Sequence, residues 1–247
     1  MISDYRQECE DLAAAFQWTA KINMHEAVAN HFSLVVGDGT SFLINPNQKH
    51  FSLITASDIL LLKTGEDPFK LENAPDPTAW GLHSSLHKFV PHAKCVMHIH
   101  SIYSTVLASL KDSYLKPIDQ NTALFFNRMI VDENFGGLAF EEEGERCSKL
   151  FSDPKVKVMV MGNHGLLVLG DNIPDAFNRM YYFERAAEIY IKALQTKQKL
   201  RLMSDAIAEK TAAELENYPN QAESHFRDIK EILIKDCLLY TSDAADD

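Results

Sequence analysis

The stretch Lys94-Cys95-Val96-Met97-His98-Ile99-His100 decides how this chain is read. It is apolar, follows Pro91, and is too short for a helix of its own, so it predicts a buried strand. Side chains alternate between the two faces of a strand. His98 and His100 therefore point one way, and Met97 and Ile99 the other. Two imidazoles on one face can share a metal ion, because neutral imidazole is a good ligand for zinc and its neighbours. Such a pair can equally be hydrogen-bonded in a core or lie on a solvated face. Asn163-His164-Gly165 supplies a third imidazole much further along. Three protein ligands with an open position is the arrangement of a catalytic metal, since substrate needs a free coordination site. Glycines flanking Asn163-His164 would let the backbone bend and aim the ring.

Just upstream, Asp76-Pro77 predicts a helix start, with Asp as cap and Pro in the first turn. That helix runs to about Val90, where Pro91 stops it. His83 and His87 are four apart on it and share a face. Either could give a ligand or a proton relay, or simply pack or meet solvent; packing or solvent is the reading for His87. Before it, residues 3–22 carry a helical apolar stripe, and residues 32–36 and 41–44 flank Gly37-Asp38-Gly39 as strand, turn and strand. After the central strand come a helix over 101–110, a polar connection over 116–121, and weak strand-and-loop signals at 129–131 and 136–140. A helix over 141–151, strands over 156–161 and 166–169, and a long amphipathic helix over 174–196 follow. Two helices near 204–216 and 221–236 close the pattern. Tight turns cannot join parallel strands, so the sheet should be mixed and largely antiparallel, covered by helices.

The chain has 247 residues, 46% of them hydrophobic, enough for one large core. A net charge of −11 argues against nucleic acid or an anionic membrane as the main partner. No leader and no apolar run near 18 residues is found, so export and membrane insertion are not expected. The four cysteines, Cys9, Cys95, Cys147 and Cys237, lack metal-type spacing, and a reduced, cytoplasmic setting is the simplest account.

From about residue 8 to residue 235 the chain resembles the class II aldolase/adducin head-domain family. The residues that carry the resemblance are Pro91-x-Ala-x-x-Val-x-His98-x-His100-Ser, Asn163-His164-Gly165 and Tyr181-Tyr-Phe-Glu-Arg185-Ala, with support from Phe42-Leu-Ile-Asn-Pro46, Ile54-Thr-Ala-Ser57 and Glu143-Gly-Glu-Arg146. The resemblance implies an αβα sandwich, assembled as a homotetramer with active sites at subunit interfaces. It implies that His98, His100 and His164 hold a divalent metal, Zn2+ first and Fe2+ or Mn2+ as alternatives. Sugar-phosphate aldolases of the family use that metal as a Lewis acid that stabilises an enediolate. Those aldolases also carry an acid/base glutamate, and the position matching it here is Ala79. Positions matching their phosphate pocket are Asn30-His31, Asn47-Gln48 and Pro77-Thr78, which lack most of the small donors that cradle a phosphate.

The expectation is therefore a metal-dependent aldolase- or decarboxylase-type lyase acting on a small, unphosphorylated hydroxy- or keto-acid or sugar-derived molecule. Asn30, His31, Asn47 and Thr78 would bind the substrate. His83, one turn after Ala79, would be the acid/base, or else a fourth ligand or an outer hydrogen-bond partner. Pro77-Thr-Ala-x-x-x-His83-Ser-x-x-His87 looks like the adducin-like branch of bacterial and fungal members. Two alternatives follow: a non-enzymatic interaction scaffold, as in adducin, and an iron-dependent oxygenase. Glu184 and Arg185 read as a structural ion pair, with a substrate clamp as the other option. Residues 1–236 form the domain, and Cys237–Asp247 reads as a translated sequencing-library adapter, set aside from the fold.

Overall fold

A computed structural model describes residues 2–71, 73–137 and 140–236; the suspected adapter tail, 237–247, lies outside the described residues. Seven strands form one sheet: β1 (His31–Val36), β2 (Ser41–Ile44), β3 (Leu60–Lys63), β4 (Cys95–Ile99), β5 (Met129–Asp132), β6 (Val158–Met161) and β7 (Gly165–Gly170). Their order is β3-β2-β1-β4-β7-β6-β5. Every pairing is antiparallel except β5 with β6, as the tight turns require.

The pleat sorts the side chains into two layers. Phe32, Leu34, Cys95, Met97, Ile99, Val158, Val160, Leu166 and Val168 enter one core. That core is closed by helices α1 (Arg6–Lys21), α3 (Ile102–Ala108), α6 (Ile173–Gln195) and α8 (Gln221–Lys235). Val96, Met159, Met161, Leu167 and Leu169 face the opposite way and enter a second core with Leu82, Leu86 and Cys147. Helices α2 (Pro77–Phe89) and α5 (Glu141–Leu150) cover that side. The result is the expected αβα sandwich. Strands buried on both faces explain why β4, β6 and β7 read as nearly unbroken apolar runs. Two further α-helices lie among the described residues, α4 (Gln120–Ala123) and α7 (Asp205–Glu216). α4 falls in the expected polar connection, because Asp119 and Thr122 form a reciprocal cap that lone propensity does not reveal. Residues 136–137 and 140 form no strand.

Local chemistry sets the ends. Asp76 caps α2, its carboxylate accepting from the Thr78 and Ala79 amides, with Pro77 in the first turn. Asn172 caps α6 in the same way through the Asp175 amide. Helix α3 has no side-chain cap of its own. Instead the buried Glu184 carboxylate on α6 accepts from the Tyr103 and Ser104 amides (both 2.9 Å) and from the Ser101 and Ser104 hydroxyls (both 2.6 Å). Arg185 pairs with Glu188 at 2.6 Å. The expected Glu184–Arg185 pair is therefore two separate structural contacts, because adjacent helix residues point to different sides.

Candidate metal centre

Register places the centre. His31 on β1 lies directly opposite His98 on β4, so both side chains stand on the α2 side of the sheet. His100 follows β4, and His164 sits in the tight β6–β7 turn beside it. The glycines of that turn act differently from expectation: Asn163 takes the left-handed conformation (φ 55°), and neither Gly162 nor Gly165 does. Gly165 is needed for room, since a Cβ there would sit 2.6 Å from the Ile99 carbonyl oxygen and 2.8 Å from His100 Cδ2.

Three Nε2 atoms converge: His98 to His100 at 2.8 Å, and His164 to each at 3.2 Å. A point central to them lies about 2 Å from each, the length of a zinc–imidazole bond. The outer nitrogens say what these contacts are. His98 Nδ1 donates to the Leu166 carbonyl at 2.9 Å, and His100 Nδ1 donates to the Glu26 carboxylate at 2.6 Å. With both Nδ1 atoms carrying a proton, the ligating, neutral form of each ring turns a bare Nε2 lone pair toward the other at 2.8 Å. Two neutral rings so arranged repel each other, and a cation between them relieves that repulsion. Burial holds His98 well below the usual histidine range, and burial together with His100 holds His164 at about 4, so both favour the neutral, ligating form.

His25 and His50 show the contrast. Their Nε2 atoms are 2.9 Å apart, yet His50 Nδ1 accepts the Ser52 amide, so its Nε2 carries a proton and the contact is an ordinary hydrogen bond. Asp132, Glu143 and Cys147 also cluster, but the Arg146 guanidinium lies among them, bonded to both carboxylates. That cluster is an ion-pair network.

The other expected site residues are placed unevenly. His83 has no exposure; its Nε2 meets His31 Nδ1 at 2.7 Å and its Nδ1 meets Ser33 Oγ at 2.5 Å. With both nitrogens taken, His83 touches the centre only through His31. His87 neither meets solvent idly nor merely packs: it contacts Ser33 Oγ at 2.7 Å and the Ala93 carbonyl at 2.8 Å. Asn30 is buried, its Oδ1 accepting from the Glu26 amide at 2.7 Å and, weakly, from the His100 amide at 3.5 Å, with Nδ2 unpartnered. It braces the loop that carries Glu26. Thr78 Oγ1 is spent on Asp76, and the Asn47 amide is bonded to the Ala74 carbonyl. Ala79 packs in an apolar cluster with Phe42, Ile44 and Leu62. Ser33 and Glu26 escaped the sequence reading, although His31-x-Ser33 is a same-face strand pair like His98-x-His100.

The sequence model for the class II aldolase and adducin N-terminal domain matches residues 10–191. The chain belongs to that family. Class II aldolases use a divalent metal, and the three converging imidazoles are a ligand group suited to one. This class II aldolase/adducin domain is 30% identical over 187 residues to a candidate class 2 aldolase of Pseudomonas aeruginosa, which covers 74% of the chain and 70% of that protein. It is 28% identical over 163 residues to human beta-adducin, covering 63% of the chain but only 21% of that longer protein. Among solved structures, an aldolase II superfamily protein from Pseudomonas syringae superposes with a TM-score of 0.83 at 26% identity, covering 96% of both chains. An L-fuculose 1-phosphate aldolase from Glaciozyma antarctica shares the fold, with a TM-score of 0.79 at 21% identity over 95% of this chain and 93% of that one. No helix among the described residues is long and apolar enough to cross a membrane.

Proposed function

We propose that this domain is a metal-dependent carbon–carbon lyase of aldolase or decarboxylase type, with His98, His100 and His164 as the ligands of a zinc ion. The observation that supports it most is the convergence of three imidazole Nε2 atoms within 3.2 Å of one another, which makes chemical sense around a cation. The ion supplies Lewis acidity, drawing electron density from a substrate carbonyl. The chain's own residues do the rest. Leu166 and Glu26 hold the His98 and His100 rings in the ligating tautomer. His31 stands beside the centre as the group that exchanges a proton with substrate, and His83 serves behind it. Ala79 leaves the work of the family glutamate to this pair. The substrate is a small hydroxy- or keto-acid or sugar-derived molecule without a phosphate, met by Asn30 and His31, with Asn47 and Thr78 further out. The chain works as a cytoplasmic homotetramer with its sites at subunit interfaces, and residues 1–236 form the functional domain.

Elemental analysis of the purified protein tests the reading: about one zinc per chain is expected. Iron in its place points to the oxygenase alternative, and no metal at all to an adducin-like interaction scaffold, which the beta-adducin similarity keeps as the second reading.

The close fit at Gly165 gives a sharper check. Gly165→Ala should displace His100, lower zinc content, and destabilise the fold by about 1–3 kcal/mol, the usual range for overpacking. Calorimetry with metal analysis reads both; a variant with wild-type stability and full zinc contradicts the placement of His100.

A further inference from the structure

Behind the centre runs a row of buried polar groups, His31, His83, Ser33 and His87, ending on the Ala93 carbonyl. We infer that this row locks His31 with its Nε2 as a bare acceptor, so that the ligand beside the metal must present a hydrogen-bond donor, a hydroxyl, to it. The inference rests on the metal-centre reading above for the ligand's position, and on hydrogen-bond counting for its polarity.

The closed end of the row fixes every proton in it. A carbonyl oxygen only accepts, so His87 Nδ1 carries a proton and donates to Ala93. The neutral ring then has a lone pair on Nε2, and Ser33 must donate its single hydroxyl proton there. Having spent it, Ser33 can only accept from His83, so His83 Nδ1 carries a proton. His83 Nε2 is thereby an acceptor, and His31 Nδ1 donates to it. No carboxylate among the described residues hydrogen-bonds any of these three rings, and at His31 burial outweighs the more distant Asp76 charge, so the neutral form holds. One carbonyl, four links away, thus fixes the state of His31 Nε2. Among the described residues no donor bonds that nitrogen, whose ring meets α2 through its other nitrogen. Its ring centroid is 4.8 Å from that of His98.

A phosphate monoester dianion offers acceptors only and would set its lone pairs against this one. A hydroxyl satisfies it. His31 is then a substrate-contacting residue, while His83, Ser33 and His87 are positioning residues that act through it.

Histidine nitrogen NMR on the zinc-loaded protein reads the tautomers directly. His31, His83 and His87 should all appear in the Nδ1–H form, and Ser33→Ala should return His83 and His31 to mixed tautomers while His87, still donating to Ala93, keeps its own, with zinc content unchanged. A wild-type His31 in the Nε2–H form overturns the inference. The donor requirement is read by titrating glycolate against methoxyacetate, which lacks the hydroxyl proton. Glycolate should bind about tenfold tighter, a gap set by leaving a polar group unpaired, and His31→Phe should close it. Equal affinities, a gap that survives His31→Phe, or no glycolate binding to the zinc-loaded protein each count against it. Zinc content measured on the same samples separates the two failures: protein without zinc sinks the metal reading, and zinc-loaded protein with the wrong tautomer or no gap sinks this one.

Discussion

Replacing His98 by alanine is expected to remove nearly all bound metal. His98 is the most enclosed of the three imidazoles, with 2% exposure, and it sits mid-sheet with β1 on one side and β7 on the other. Its Nε2 is 2.8 Å from one partner nitrogen and 3.2 Å from the other, so no neighbour can swing in to replace it. Loss of an outer partner of a ligand typically weakens metal binding 10- to 100-fold, and loss of the ligand itself should exceed that. Zinc per chain should fall from about one to a small fraction, measured by elemental analysis after dialysis. The His164→Ala protein should behave alike despite its more open position. Full zinc in either variant would falsify the three-histidine assignment.

Glu184→Ala should give the largest loss of stability away from the centre. The carboxylate accepts four hydrogen bonds, from two amides and two hydroxyls at the start of α3. Those donors would otherwise be unsatisfied, because the helix has no cap of its own. Removing a buried charged acceptor while leaving its donors in place costs about 3 kcal/mol or more. In a domain of this size that is a fall of about 6–12 °C in melting temperature. Helix α3 starts two residues after His100, so the same variant should also lower zinc content. A melting temperature within 2 °C of wild type, by about the resolution of a scan, would remove Glu184 from this role.

How far these features could be read in advance depended on the range of the interaction. The face shared by His98 and His100 follows from the two-residue repeat of a strand, and the α2 boundaries from Asp76, Pro77 and Pro91, all local signals. The helices on both sides of the sheet followed from amphipathic spacing. The partners of His83 did not, because Ser33 and His31 lie some 50 residues away and meet it only when α2 packs on β1. Alternation in His31-Phe-Ser33 put both on one face, but nothing local said which helix would cover it. Glu184 was misread for a similar reason: a carboxylate beside an arginine suggests a pair, while its donors belong to another helix. In the β6–β7 turn the left-handed backbone fell on Asn163, while Gly165 serves the close approach to Ile99 and His100.

The strand that carries His98 also fixes when the centre can come into being. Its nitrogens are drawn from segments 64 and 66 residues apart, and they meet only once β4 is zipped to β7. Such long-range pairing carries a loop-closure cost that slows its formation. An ion that recognises only the closed sheet would have nothing to bind before that pairing, and adding zinc should leave the folding rate alone in stopped-flow refolding. Its whole effect is expected on the reverse step, as slower unfolding of the zinc-loaded domain.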